Sequence, residues 1–127
     1  MAFDTSATPT RVTQDGSFMG KTFWTFTGTD SDASTAIDIV AAPGAGKALY
    51  ITGVILETAL DADAFPQLQD GDGTLLFGPW ISGTVGANII NWKFDNPLKL
   101  VSNKALAVKA AAAGSVYVYV EGFTATG

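Results

Sequence analysis

The amino-acid sequence predicts an all-β protein: an antiparallel β-sandwich or jelly roll of about 7–9 strands with an extended N-terminal arm. Three observations predict it. Runs rich in Val, Ile, Tyr and Phe alternate apolar and polar residues with the period of a half-buried strand. Clusters of Gly, Pro, Asp and Asn interrupt those runs roughly every 8–12 residues, the spacing of short strands in a sandwich. No helical stripe, heptad pattern or internal repeat runs through the chain.

Residues 1–34 stand apart. They are rich in Thr, Ser, Gly and Asp, contain Pro9, and hold one aromatic knot, Phe23-Trp24-Thr25-Phe26, close to Phe18 and Met19. An arm with one short strand is expected here, and the sandwich domain over residues 35–127. Burying a large aromatic stabilises by roughly 1.5–3 kcal/mol, so these side chains are expected to dock, on their own domain or on a neighbouring subunit.

Within the domain, Thr35–Val40 alternates and ends at the turn Pro43-Gly44-Ala45-Gly46. Lys47–Thr58 is a long β-branched run in which Gly53 marks a bulge or a close backbone approach. Straight alternation puts Leu49, Ile51 and Ile55 on one face and Tyr50, Val54 and Leu56 on the other. Ala64–Gln69 is a short strand, and Pro66 argues for a sheet edge. Asp70-Gly71-Asp72-Gly73 is a tight turn, because Asp and Gly tolerate positive φ. Thr74–Phe77 follows, and Gly78-Pro79 breaks it.

Asn88–Phe94 aligns Ile90, Trp92 and Phe94 on one face, which places Trp92 in the core. Asp95-Asn96-Pro97 is expected to turn the chain before a brief run, Leu98–Val101. Lys104–Ala113 contains enough Ala for a helix, but Leu106 and Val108 alternate with smaller residues at period two and favour a strand at Ala105–Lys109. Gly114 opens the last strand, Ser115–Phe123, with Val116, Val118 and Val120 on one face and Tyr117, Tyr119 and Glu121 on the other. Two strands therefore read as apolar on both faces. A two-layer sandwich buries only one, so the other needs an arm, a loop or a second subunit.

Composition narrows the function. The length of 127 residues suits one domain, and 47% hydrophobic residues supply a core. Seven Lys and Arg stand against twelve Asp and Glu, net −5, a poor match for a phosphate backbone, so nucleic acid is excluded as a partner. There is no Cys, hence no disulfide and no thiolate, which leans toward assembly in the cytoplasm. There is no His, which removes the commonest general base and zinc ligand. The start, Met1-Ala2-Phe3-Asp4, carries no basic n-region, and no signal peptide is expected. Ala105–Val120 is interrupted by Lys109 and Gly114 and is too short to span a bilayer, so no membrane partner is expected.

Motifs that carry chemistry fall short. Gly44-Ala45-Gly46-Lys47 lacks the first Gly and the closing hydroxyl of a phosphate loop, with Ala41 and Ala48 in those places, and it leads into a strand. Asp70-Gly71-Asp72-Gly73-Thr74 resembles part of a calcium loop, but Ile81 stands where the bidentate Glu belongs. Asp30-Ser31-Asp32 and Asp61-Ala62-Asp63 would add ligands only if the loops converge. Asp38 and Glu121 lie within strands and are expected to face solvent. Without His or a Gly-x-Ser-x-Gly elbow the usual nucleophile arrangement is missing, and neither an enzyme nor a cofactor is expected. Trp24, Trp80, Trp92, Tyr117 and Tyr119 would suffice for a sugar-stacking platform, and Trp80, after Gly78-Pro79, is the best surface candidate among them.

The runs Lys47–Leu56, Asp70–Thr74, Phe94–Leu100 and Val116–Phe123 resemble the small jelly-roll decoration, or cement, proteins of tailed bacteriophages, over roughly residues 35–123. The resemblance implies a structural virion protein made in the host cytoplasm. It would bind the outer surface of the capsid, bridge capsomers of the major capsid protein, and work as a homo-oligomer, a dimer or trimer. The interface residues expected on this reading are Phe18, Phe23, Trp24, Phe26, Trp80, Tyr117 and Tyr119. The competing reading is a carbohydrate- or receptor-binding sandwich module of a phage fibre or secreted protein.

Overall fold

The computed structural model describes residues 11–58, 66–78 and 88–127, with the side chains of 11–18 and Asn88 outside that description. The described residues form nine strands and no helix: β1 (Arg11–Phe18), β2 (Lys21–Asp30), β3 (Ile37–Val40), β4 (Lys47–Thr58), β5 (Gln67–Asp70), β6 (Leu75–Phe77), β7 (Asn88–Lys99), β8 (Leu106–Lys109) and β9 (Val116–Thr126). They build a five-stranded sheet, β1-β2-β9-β4-β7, and a four-stranded sheet, β3-β8-β5-β6. Every strand pair is antiparallel.

The pairing identifies a jelly roll. β2 pairs with β9, β3 with β8, β4 with β7 and β5 with β6, as in one long hairpin. Two further pairings, β4 with β9 and β5 with β8, roll that hairpin into two sheets. Between the sheets lie Trp24 and Phe26 of β2, Leu68 of β5, Leu106 and Val108 of β8, and the Val116, Val118, Val120 row of β9. Ala105–Lys109 thus contributes a strand, β8, in line with the alternation of Leu106 and Val108.

Residues 21–30 belong to the sandwich. β2 runs between β1 and β9, paired with β9 from Thr22 to Asp30, so the larger sheet begins well before residue 35. The cause is legible in its side chains: Trp24 and Phe26 alternate with Thr25 and Thr27, and both aromatics go inward. Phe18 and Lys21 close the β1–β2 hairpin around Met19-Gly20, whose φ values of 52° and 79° are those of a turn matched to strand twist.

The two-faced look of β4 has a different cause from the one expected. Ile51 pairs with Gly122 and Gly53 with Glu121, so Thr52 is an extra residue against β9. This β-bulge shifts the phase of the strand by one residue. Leu49, Ile51, Val54 and Leu56 all reach the core, while Tyr50, Ile55 and Glu57 take the outer face. The expected split, with Ile55 beside Ile51 and Val54 beside Tyr50, is corrected by that single residue. Thr52 Oγ1 donates to the Glu121 carbonyl at 3.2 Å, which gives the bulged residue a partner.

Three further expectations are corrected. Asp95-Asn96-Pro97 does not end a strand: β7 continues through it, and four residues (94–97) lie between the pairs Lys93–Gly53 and Leu98–Ile51. β7 is a sheet edge, where proline's missing N–H is tolerated. Pro66 is buried and precedes β5, which lies between β8 and β6 rather than at an edge; ahead of the strand's first residue no ladder donor is required. Trp92 is 54% exposed despite sharing a face with Ile90 and Phe94. Its strand is the edge strand, and the three-residue β6 covers only part of it.

Candidate interaction surface

The expected interface residues separate by side. Trp24 and Phe26 are each 4% exposed and form the core wall of β2, so they are not available to a partner. Phe23, Tyr117 and Tyr119 lie on the outer face of the larger sheet, with Tyr117 opposite Thr29 and Glu57, and Tyr119 opposite Thr27 and Ile55. Trp80 and the side chain of Phe18 lie outside the described residues.

A row of side chains that sequence reasoning did not assemble crosses this outer face. Tyr50 of β4 stacks on Phe123 of β9 at 4.8 Å and 11°, close to the spacing of neighbouring strands. Phe23 of β2 meets Phe123 edge-on at 5.9 Å. Lys21 lies over the Phe123 ring at 4.7 Å, and Lys99 of β7 over Tyr50 at 6.0 Å. Tyr50 is anchored by donating its hydroxyl to the Thr126 carbonyl at 2.8 Å. The order Lys21, Phe123, Tyr50, Lys99 follows the strand order β2, β9, β4, β7. Three long-range pairings bring these residues together, so no local spacing signals the row.

Next to it, Lys93 pairs with Glu121, and Tyr119 Oη donates to Glu121 Oε2 at 3.1 Å. Gly53 leaves the space for that carboxylate: a Cβ there would sit 2.6 Å from Glu121 Oε1. Glu121 is therefore an ion-paired surface group, and Asp38 is exposed on β3. Further along the face, Thr27, Thr29, Ile55, Glu57, Tyr117 and Tyr119 line a shallow hollow of about 180 Å³.

Two larger cavities lie elsewhere among the described residues. One of about 510 Å³ opens between β6 and β7, lined by Leu76, Phe77, Ile90, Trp92 and Phe94. The other, about 410 Å³, lies at the Trp24 end of the core against Val40, Pro43 and Leu49. Trp24 Nε1 is buried and has no hydrogen-bond partner among the described residues. Such an unmade bond costs about 1–3 kcal/mol.

The acidic loops are occupied with their own turns. Asp70 is buried, and its Oδ1 accepts from the N–H of Asp72 at 2.9 Å and of Thr74 at 3.0 Å. Asp72 pairs with Lys104 at 2.6 Å. Asp30 Oδ1 accepts from the Asp32 N–H at 2.8 Å. Ser34 donates its hydroxyl and then its N–H to Asp32, which holds that carboxyl below the usual aspartate value. Asp61 and Asp63 lie outside the described residues. Among the described residues, no three His, Cys, Asp or Glu side chains are grouped to hold a metal ion. Pro43–Gly46 is a turn closed by Lys47 N–H to the Gly44 carbonyl at 3.2 Å, and it enters a strand, without the helix N-terminus a phosphate needs. No helix of the described residues is long and apolar enough to cross a membrane.

The sequence matches no protein-family model and no curated protein.

Proposed function

We propose that this chain is a structural virion protein that decorates the outside of a tailed-phage capsid and stabilises it by bridging capsomers. On this reading its partner is the major capsid protein, it works as a dimer or trimer, and it reaches the virion from the host cytoplasm. The observation that supports the reading is the group of exposed aromatic and aliphatic side chains on the outer face of the larger sheet. Phe23, Tyr117 and Ile89 are 37%, 41% and 61% exposed there, on the side of the sheet that the core does not need. A shell lattice multiplies one modest interface over many copies, so each contact works by avidity without any reacting group.

The test is to incubate the purified protein with undecorated phage shells and pellet them. A fixed saturating number of copies per shell, together with a higher shell-disruption temperature, is the expected result. Absence of co-sedimentation at any concentration contradicts the reading.

A second reading has its own observation. The hollow beside Tyr117, Tyr119, Glu57, Thr27 and Thr29 combines aromatic, carboxylate and hydroxyl groups, the chemistry that binds a saccharide. Glycan-array binding abolished by Tyr117→Ala, with no binding to shells, would select this reading over the first.

A further inference from the structure

The outer face of the larger sheet is polarised. At one end stands the Lys21, Phe123, Tyr50, Lys99 row; at the other end of the same face lies Glu57, opposite Tyr117 and Ile89. Lys93, on the same face, is neutralised by Glu121. Lys21 and Lys99 have no carboxylate partner among the described residues, although carboxylates outnumber basic groups in the whole chain by twelve to seven. Each ammonium rests instead against an aromatic ring, with no ion pair among the described residues. The two rings stack on each other, so the cations cap the two ends of the stack. Lys21 and Lys99 stand on strands three spacings apart, roughly 14 Å.

We infer that this row is a docking surface for an acidic protein segment. Its preferred occupant is an extended stretch with two carboxylates about four residues apart, a separation that spans roughly 14 Å. Charge complementarity selects the occupant. A long polyanion such as a nucleic acid would run past the two lysines into the field of an acidic chain, whereas a short acidic segment feels only the local cations. Half-exposed Phe23 beside the row adds an apolar contact suited to a peptide. The inference goes beyond the decoration reading, because it fixes the chemistry of the partner whether or not that partner is a shell.

The experiment titrates the isotope-labelled full chain, at low ionic strength, with a short synthetic peptide whose two glutamates are four residues apart, and follows amide shifts. Binding is expected to move the resonances of Lys21, Tyr50, Lys99 and Phe123, and to vanish in 0.5 M salt, where the screening length is only a few ångströms. The double variant Lys21→Glu/Lys99→Glu should weaken it at least tenfold. Lys109→Glu, an exposed charge reversal on β8 of the other sheet, should change it less than twofold. Lys21→Arg/Lys99→Arg should retain it, which separates lost charge from lost fold. Three results each overturn the inference: no binding of the peptide, equal weakening by Lys109→Glu, or binding of dextran sulfate alone.

Discussion

On the inner face of the larger sheet, Trp24, Ile51, Val54, Leu56 and Val120 are at most 4% exposed, whereas the outer face leaves Phe23 at 37% and Tyr117 at 41%. The two faces are built by the same strands and differ by one residue of phase. The inner face stays continuous because Thr52 is bulged out, which keeps Val54 and Leu56 in register with Leu49 and Ile51. The outer face is assembled from what remains: tyrosines, threonines, lysines and one stacked aromatic pair. Removing inner atoms leaves a cavity in a close-packed interior, while removing outer atoms changes a surface that water already reaches. The inner face therefore holds the fold, and the outer face keeps exposed side chains that the core does not use.

The largest expected effect comes from exchanging like for like across the sheet. Trp24→Ala should lose about 3–5 kcal/mol in urea unfolding. Tyr117→Ala should stay within about 0.5 kcal/mol of wild type. Comparable losses in the two variants would break the contrast between the faces.

Gly122 sharpens it, since it touches both sides. A Cβ there would sit 2.1 Å from the Tyr50 carbonyl oxygen and 2.8 Å from the Trp24 ring, so backbone or indole must move. Gly122→Ala should cost about 1–3 kcal/mol and lower the near-ultraviolet signal of the buried indole. At Gly53 the added Cβ meets the flexible ends of Glu121 and Lys93. Gly53→Ala should therefore cost less, about 1 kcal/mol, and loosen the Lys93–Glu121 pair without disturbing the indole. A loss at Gly53 equal to that at Gly122 would mean that the bulge has no slack.

The smallest effect concerns acid. Asp32 titrates lower in the folded chain than in the unfolded one, because Ser34 donates to its charged form. Its contribution is present above the unfolded value and disappears as pH falls through the folded value. Asp32→Asn should therefore lower stability slightly near pH 7, converge with wild type in acid, and so flatten the acid limb of the unfolding curve. An unchanged acid limb would show that the Ser34 contacts do not bias that carboxyl.

Much of the fold was legible in the sequence because strand periodicity is local. The Val116, Val118, Val120 row, the turns at Pro43–Gly46 and Asp70–Gly73, and the strand at 105–109 needed only near neighbours. Trp24 and Phe26 carried the same period-two signal, but the Thr- and Ser-rich surroundings favoured an arm, and the sheet took them in. Gly53 flagged a bulge without revealing which face each later residue would take, since that depends on its pairing with Glu121. Trp92 was misplaced because alternation reports the face of a strand and not whether the strand lies at an edge. The outer row was invisible for the same reason: Lys21, Phe123, Tyr50 and Lys99 become neighbours only once the order β2, β9, β4, β7 exists.

On the proposed reading, the outer face of the larger sheet is the one that binds the shell. The most direct measurement pellets undecorated phage shells with wild-type protein and with the double variant Phe23→Ser/Tyr117→Ser, after unfolding curves establish that both are folded. Saturable binding by the wild type and loss of at least tenfold in affinity by the variant is the predicted result. Equal binding by the two proteins would contradict the assignment of that face.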